Sequence, residues 1–312
     1  MSRTYKATGI NLKTMPLGES DRLLTILTRE QGLIKAVAPG SRKPKSQLGG
    51  RSALFVVNDL LLIQGRSLDK IAQAETLESY SGLSQNLAKL TISQYLAELT
   101  LYQALSGQPQ IELWDLFCQQ LNQLQAASLD QLPFCLIYGT LQLLTGAGIA
   151  PQVHTCCFTH EPLSPPLTDA HWRVGFSLSA GGAVMLSSVS SFSRSHLSPQ
   201  YTTGAPSVPV VREGCNDLRS VVDHRPLPGK LVQLSAQELS LLQTLTSAER
   251  DTHSSLHCSL ATAQPYPLSV WQAVESALRH YAEAYFDRPI RSAALLDTCF
   301  STLPDLVTPV HP

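Results

Sequence analysis

The sequence is short of charge, of aromatic rings and of methionine: 15% of its 312 residues are charged, 6% are aromatic, and Met occurs three times. With 43% hydrophobic residues, so low a charged fraction excludes a disordered polyelectrolyte and supplies a globular core. The opening stretch MSRTYKATGINLKT lacks the apolar segment of a secretory signal, so the expected compartment is the cytoplasm. The seven cysteines (Cys118, Cys135, Cys156, Cys157, Cys215, Cys258 and Cys299) are odd in number and irregularly spaced, which argues against a disulfide framework. Residues 131–153 hold no charged side chain, yet Pro133, Gly139, Gln142, Thr145, Gly146, Gly148 and Pro151 interrupt the apolar run. That stretch reads as a buried helix ended by breakers, not as a membrane span. Catalytic signatures are missing too. There is no G-x-S-x-G, no H-E-x-x-H and no G-x-x-x-x-G-K-[ST], and His196, His224 and His253 are scattered through Ser/Pro-rich stretches. Neither an enzymatic activity nor a cofactor is expected.

What is present is a charge asymmetry. Residues 1–51 carry ten cationic side chains against Glu19, Asp21 and Glu30, a net +7. Since the whole chain sums to −1, residues 52–312 carry −8. A basic module on a mildly acidic body points to a polyanion, most often nucleic acid, as the partner of the basic part.

A chain of this length predicts two domains. Over residues 1–80, apolar runs at Ala7–Leu12, Leu23–Thr28, Leu33–Ala38, Leu54–Gln64 and Ile71–Glu78 alternate with turn signals, which predicts a small five-stranded barrel packed on the helices after it. From Ser84, the expected N-cap, the apolar period changes to that of a helix. Further helices are expected at Gln110–Gln125, Asp130–Thr145, Ser235–Thr246, Ser269–Phe286 and Arg291–Phe300, with a long irregular stretch over 151–230.

In the order Gly18-Glu-Ser-Asp-Arg22, Leu23-Leu-Thr-Ile-Leu-Thr28, Gly32-Leu-Ile-Lys-Ala-Val-Ala38 and Gly40-Ser-Arg-Lys-Pro-Lys-Ser46, the chain resembles the bacterial recombination mediator family RecO. Glu78, the helix from Ser84, Gly181-Gly182 and Phe286-Asp-Arg-Pro-Ile-Arg-Ser292 extend the resemblance over nearly the full length, weakly from 189 to 230. It implies an α+β protein: an OB-fold at 1–80, then an α-helical domain at 81–312 with a degenerate zinc-ribbon-like insertion at 151–190 and an irregular loop at 191–230. It also implies binding of single- and double-stranded DNA and annealing of complementary strands. RecR, the acidic C-terminal tail of single-strand-binding protein and, indirectly, RecA are the implied partners, and no membrane is. The other class of reading is a non-catalytic interaction scaffold whose basic module binds RNA or a protein.

The leading contact candidates are Arg42, Lys43 and Lys45, in a Gly/Pro-held segment that can follow a phosphate backbone without reading bases. Arg22, Lys35, Arg51, Arg66 and Lys70 rank behind them. Residues 1–80 offer only Tyr5, Phe55 and Tyr80 for base stacking, and Phe55 reads as core, so binding should be mostly electrostatic. Near the C-terminus Arg279, Arg288 and Arg291 alternate with Tyr281, Tyr285 and Phe286, a combination that could form a groove for an acidic peptide tail.

Members of the family often carry C-x-x-C and, further on, G-G-x-x-C-x-x-C, a thiolate cage for zinc. Here Cys156 keeps the first position, but Thr159, Met185 and Ser188 hold the other three. Phe158, Trp172, Phe176 and Met185 are expected to pack in place of the ion, with Gly181-Gly182 retained as a turn. Neither thioether nor hydroxyl replaces a thiolate in structural zinc sites. Because a structural metal contributes folding energy, a chelator is expected to leave the melting temperature unmoved and elemental analysis to find no stoichiometric zinc. An EDTA-induced fall in Tm would overturn this and make Cys156, Cys157 and His160 the ligands to test.

Overall fold

A computed structural model describes residues 3–187, 231–250 and 266–301. The expectations that fall on Ser188, the 191–230 loop, Cys215, Cys258, His196, His224 and His253 lie outside the described residues. The chain divides into two compact units, one of residues 1–151 with 237–312, the other of 152–236.

The first unit begins with five strands: β1 (Thr4–Leu17), β2 (Asp21–Thr28), β3 (Gly32–Ala38), β4 (Val56–Ile63) and β5 (Asp69–Ser79). They close into a barrel in the order β1-β2-β3-β5-β4, the arrangement of an OB-fold. Alternation along each strand sends Ala7, Leu24, Ile26, Ala36, Leu60, Leu62, Ile71 and Ala74 into one core. β1 is long enough to serve two neighbours: Thr4–Ile10 pair with β4, and Gly9–Leu17 pair with β2. Every joint is antiparallel except the last, where β3 meets β5 in parallel through only Ala36↔Asp69 and Val37↔Lys70.

A 3-10 turn at Ser81–Gln85 leads into α1 (Leu87–Gln103), and α2 (Ile111–Ala126) and α3 (Leu132–Gly146) come after it. The cap of α1 is Asn86, whose side chain accepts the N–H of Lys89, and not Ser84, whose hydroxyl donates to the Ser81 carbonyl inside the 3-10 turn. α3 packs on α1 and α2 and is buried nearly all round, which accounts for its lack of charge. Gly139 lies where a Cβ would come within 3.0 Å of Gln120 Oε1 and 3.1 Å of Leu96, so this glycine permits the close approach of three helices. The remaining helices among the described residues are α4 (Ala236–Arg250), α5 (Leu268–Phe286) and α6 (Leu296–Ser301). The single helix expected at 291–300 is divided into a 3-10 turn, Arg291–Leu295, and α6. The described helices include none long and apolar enough to cross a membrane.

Barrel and helices are joined through main-chain hydrogen bonds between the β2–β3 turn and the α1–α2 connection. Leu33 N donates to Leu105 O (2.8 Å), Gly107 N to Gln31 O (2.9 Å) and Gln110 N to Arg29 O (2.9 Å). The Arg29 guanidinium adds a cation–π contact 5.0 Å from the Trp114 ring and an ion pair at 3.4 Å with Asp115. Phe55, 2% exposed, packs against Phe117 with ring centroids 6.3 Å apart, and Tyr80 is buried beside it, its hydroxyl directed at Cys118 O.

In the second unit, β6 (Arg173–Ser177) pairs antiparallel with both β7 (Gly182–Val184) and β8 (Leu231–Ser235). β6 and β7 fall within the stretch expected to be irregular, 151–230, while β8 occupies residues for which no element was expected and takes Ser235, expected as the start of the next helix, into a strand. The buried apolar residues of this second unit are mostly aliphatic: Val153, Leu163, Val174, Ala183, Val184 and Leu234, with Phe176 and Cys156. Of the residues expected in place of zinc only Phe176 is fully buried, and Phe158, Trp172 and Met185 are half-buried. The four metal positions do not fit an ion. Thr159 is exposed, Ser188 lies outside the described residues, and the Cys156 sulfur accepts the Met185 N–H at 3.3 Å. Burial disfavours the Cys156 thiolate, but donors from the Thr159 hydroxyl and the Met185, Thr159 and Phe158 N–H groups outweigh it and lower the pKa. Among the described residues no group of three or more His, Cys, Asp and Glu is gathered that could hold a metal. A Cβ at Gly182 would lie 2.1 Å from Gln152 O, so this glycine is retained by close main-chain packing, while Gly181 takes a positive φ of 81°.

Gly32 is the tightest point between barrel and helices: its φ is +64°, and a Cβ there would lie 2.1 Å from Leu105 O. Gly32→Ala is expected to cost roughly 2–4 kcal/mol, whereas Gly107→Ala, also at positive φ (+80°) but facing open space, should cost about 1 kcal/mol. Urea midpoints of the two variants test the difference, and equal losses would show that the contact with Leu105 is not what matters.

Candidate nucleic-acid interface

The β3–β4 connection, residues 39–55, is a run of successive turns. Hydrogen bonds Lys43 N→Gly40 O, Ser46 N→Lys43 O, Gly49 N→Ser46 O and Ala53 N→Gly50 O form its internal frame. Gly40 and Lys45 supply positive φ values of 64° and 62°. Buried polar side chains anchor the run to the barrel: Asn11 Nδ2 donates to Arg51 O and Ala53 O, and Asn58 Nδ2 to Arg51 O. At the other end Asp21 Oδ1 accepts Gly40 N (2.7 Å) and the Ser20 hydroxyl (2.9 Å). Those two bonds, in that order, help hold the Asp21 carboxyl below its usual range, as do the Lys43 and Lys70 charges. Asp21 is thus committed to the loop it anchors. The segment that carries the leading cations is preformed, so less ordering entropy is lost when it binds.

The eight candidate cations divide by environment. Lys35, Arg42, Lys43, Lys45, Arg66 and Lys70 are exposed, and Arg22 and Arg51 are half-buried. Arg22 is a structural residue here: its Nη1 donates to Gly49 O (3.0 Å) and Ser52 Oγ (2.9 Å), bracing the 39–55 turns. Arg42 does both, with Nη1 on Gly18 O at 2.9 Å and the residue otherwise in solvent. Among the described residues none of the six exposed cations has an ion-pair partner.

Strand register adds two residues that composition and spacing did not single out. Lys13 pairs with Thr25, which pairs with Lys35, so the three form one cross-strand row on the outer face of the barrel. Arg3 lines a hollow of about 560 Å3 with Lys35 and Arg66. Lys13 has the parity of buried Ala7, Gly9 and Asn11, and it faces outward because β1 bulges between Asn11 and Lys13, so neither it nor Arg3, whose neighbours are distant along the chain, left a local trace. The aromatic side chains of the barrel are not offered for stacking: Phe55 and Tyr80 are 2% exposed, and half-buried Tyr5 donates its hydroxyl to Asp69.

Of the C-terminal arginines, Arg288 and Arg291 both lie near Tyr102, and Arg279 is engaged elsewhere. Arg279 is drawn to the buried Glu275 at 3.4 Å. Arg288 is exposed with its guanidinium 5.7 Å from the Tyr102 ring, and Arg291 is exposed. The apolar hollow nearest them in sequence, about 610 Å3 with Ile111, Leu113, Leu116, Tyr285 and Phe286 in its wall, has Glu112 as its one charged lining residue. The expected groove pairing apolar walls with arginine is therefore not assembled there. Instead Glu98 fastens the chain after α5, accepting the Ser292 N–H (3.0 Å) and hydroxyl (2.8 Å) and the Tyr102 hydroxyl (2.8 Å). Burial pushes the Cys118 and Cys135 thiols up to about 12, which removes both as nucleophiles near neutral pH.

Two family descriptions match the chain: Recombination protein O N terminal over residues 1–80 and Recombination protein O C terminal over residues 84–197. A DNA repair protein RecO from Acaryochloris marina is 68% identical over 312 residues, spanning 99% of each chain. The corresponding proteins of a Cyanothece species and of Nostoc punctiforme are 52% and 45% identical, covering 97% and 96% of this chain and 98% of each relative. The barrel, the helices packed after it and these full-length matches lead to one conclusion: the chain belongs to the RecO family.

Proposed function

We propose that this protein acts in DNA repair and recombination as a non-catalytic mediator that binds single- and double-stranded DNA through the outer face of its barrel. The observation that carries this is the set of six exposed cations, none of them in an ion pair among the described residues and three of them on a preformed loop. Cations of this kind neutralise phosphates whatever the base sequence. With the barrel aromatics turned inward, contacts to bases contribute little. A surface that screens two phosphate chains at once lowers their mutual repulsion, which is what annealing of complementary strands needs.

By family membership we extend the reading to joint action with RecR in loading RecA onto single-stranded DNA coated by single-strand-binding protein, within the cytoplasm. Arg288 and Arg291 are the cations offered to that protein's acidic tail, with Arg279 engaged inward by Glu275. The 151–190 insertion is read as a metal-free derivative of a zinc ribbon.

Counterion release predicts a log–log salt slope near −0.7 per phosphate contacted on single strands, hence about −4 if all six cations engage. Fluorescence anisotropy over a salt series measures it, and a flat series would overturn the reading. The Arg42→Ala, Lys43→Ala, Lys45→Ala triple variant is expected to reduce the slope by about 2 and to slow strand annealing. It should lose about 1 kcal/mol of stability, from the Arg42–Gly18 bond. A triple variant that stays folded by circular dichroism and anneals as fast as the parent would remove the loop from the interface.

A further inference from the structure

The hollow lined by Arg3, Lys35 and Arg66 lies at the end of the barrel away from the 39–55 loop. Its wall is assembled from four chain segments, each fixed by hydrogen bonds. Gln64 N donates to Arg3 O (2.9 Å), bringing the start of β1 beside the end of β4. The β4–β5 turn is closed by Asp69, whose Oδ1 accepts Gly65 N (2.9 Å) and whose Oδ2 accepts the Tyr5 hydroxyl. That turn admits only glycine at 65, because a Cβ would lie 1.9 Å from Leu68 O. Gln31 and Lys35 stand on the β2–β3 hairpin, and Ser106 and Gly107 belong to the connection stitched to it.

The cavity therefore exists before any ligand arrives, and its charge is simple. Three cations face one carboxylate, Asp69, whose two oxygens are already engaged by the turn and by Tyr5. Among the described residues none of Arg3, Lys35 and Arg66 has an ion-pair partner. The net charge of +2 is supplemented by neutral hydrogen-bonding groups on Gln31, Gln64, Ser67 and Ser106.

We propose that this pocket binds a phosphomonoester, the terminal phosphate of a nucleic-acid strand or of a free nucleotide, in preference to the phosphodiesters of a continuous backbone. Two features separate the classes. A monoester carries about −1.5 to −2 charges near pH 7, which matches the pocket, whereas each internal diester carries one. A pocket walled by four chain segments accepts the end of a chain, while a strand passing through is better served by the exposed cations of the 39–55 loop. The proposal rests on the reading that the barrel carries nucleic acid; it gives Lys35 and Arg66, together with Arg3, a task apart from that of the loop cations.

The test compares short oligonucleotides bearing a 5′-phosphate, a 3′-phosphate or hydroxyls at both ends, with the fluorophore at the end not under test. At pH 7.5 one phosphorylated form is expected to bind roughly three- to tenfold tighter than the hydroxyl form. The preference should shrink at pH 5, where the monoester, with a second pKa of about 6, takes up a proton and the diesters do not. Arg66→Ala, in an exposed turn, and Lys35→Ala should each abolish the preference; a long hydroxyl-ended strand, with one cation fewer to engage, binds more weakly but still binds through Arg42, Lys43 and Lys45. Competition by adenosine 5′-monophosphate but not by adenosine, without any end preference, would assign the pocket to a free nucleotide and still support a monoester site. Salt-sensitive binding that is blind to the end group, with no competition by the monophosphate, overturns the proposal alone. Absence of all binding overturns the reading beneath it as well.

Discussion

The structure of the larger unit depends on the main-chain stitch between the β2–β3 turn and the α1–α2 connection. A five-stranded barrel of some eighty residues has too small a core to be robust by itself. This one gains stability by giving its edge of polar main-chain groups to a neighbouring loop, with Gly32 allowing contact at a distance no side chain could tolerate. Arg29 over Trp114 and Phe55 against Phe117 then cover the joint on both sides. The cationic loop, the barrel-end pocket and the helical body are consequently parts of one rigid frame, because each is fastened to a strand that the stitch holds.

Within that frame, opposite charges have been sorted by task. Asp21, Asp69 and Glu98 all commit their oxygens to main-chain N–H groups and hydroxyls that shape turns or fasten the C-terminal segment. The exposed cations have no such duties, Arg42 excepted. These three carboxylates thus shape the surface that the six exposed barrel cations present. The division explains how a chain of nearly zero net charge can offer a polyanion a strongly positive face.

The strands of the barrel were legible in the sequence because their alternation is strong and local, and the helices because their apolar period is. What could not be read depended on contacts distant along the chain. Ser84 and Asn86 are both competent caps, and only the path of the preceding 3-10 turn selects Asn86. Arg22 and Arg279 count as cations like any others until Ser52, Gly49 and Glu275 are seen to engage them. In the smaller unit, aromatic size was a poor guide to burial: Phe158 and Trp172 remain half-buried, while short aliphatic residues and the Cys156 sulfur occupy the interior. β8 was missed because its partner, β6, lies more than fifty residues earlier.

The parallel joint between β3 and β5 is the weak seam of the cylinder. With two residue pairs in all it carries far fewer ladder bonds than the four antiparallel joints, so partial opening is cheapest there. Lys35 belongs to one side of that joint and Lys70 to the other. Any polyanion lying across both side chains spans the weakest link and resists its parting, as a clasp closes a bracelet. Amide exchange at the ends of β3 and β5 should therefore report ligand occupancy more sensitively than exchange anywhere else in the cylinder.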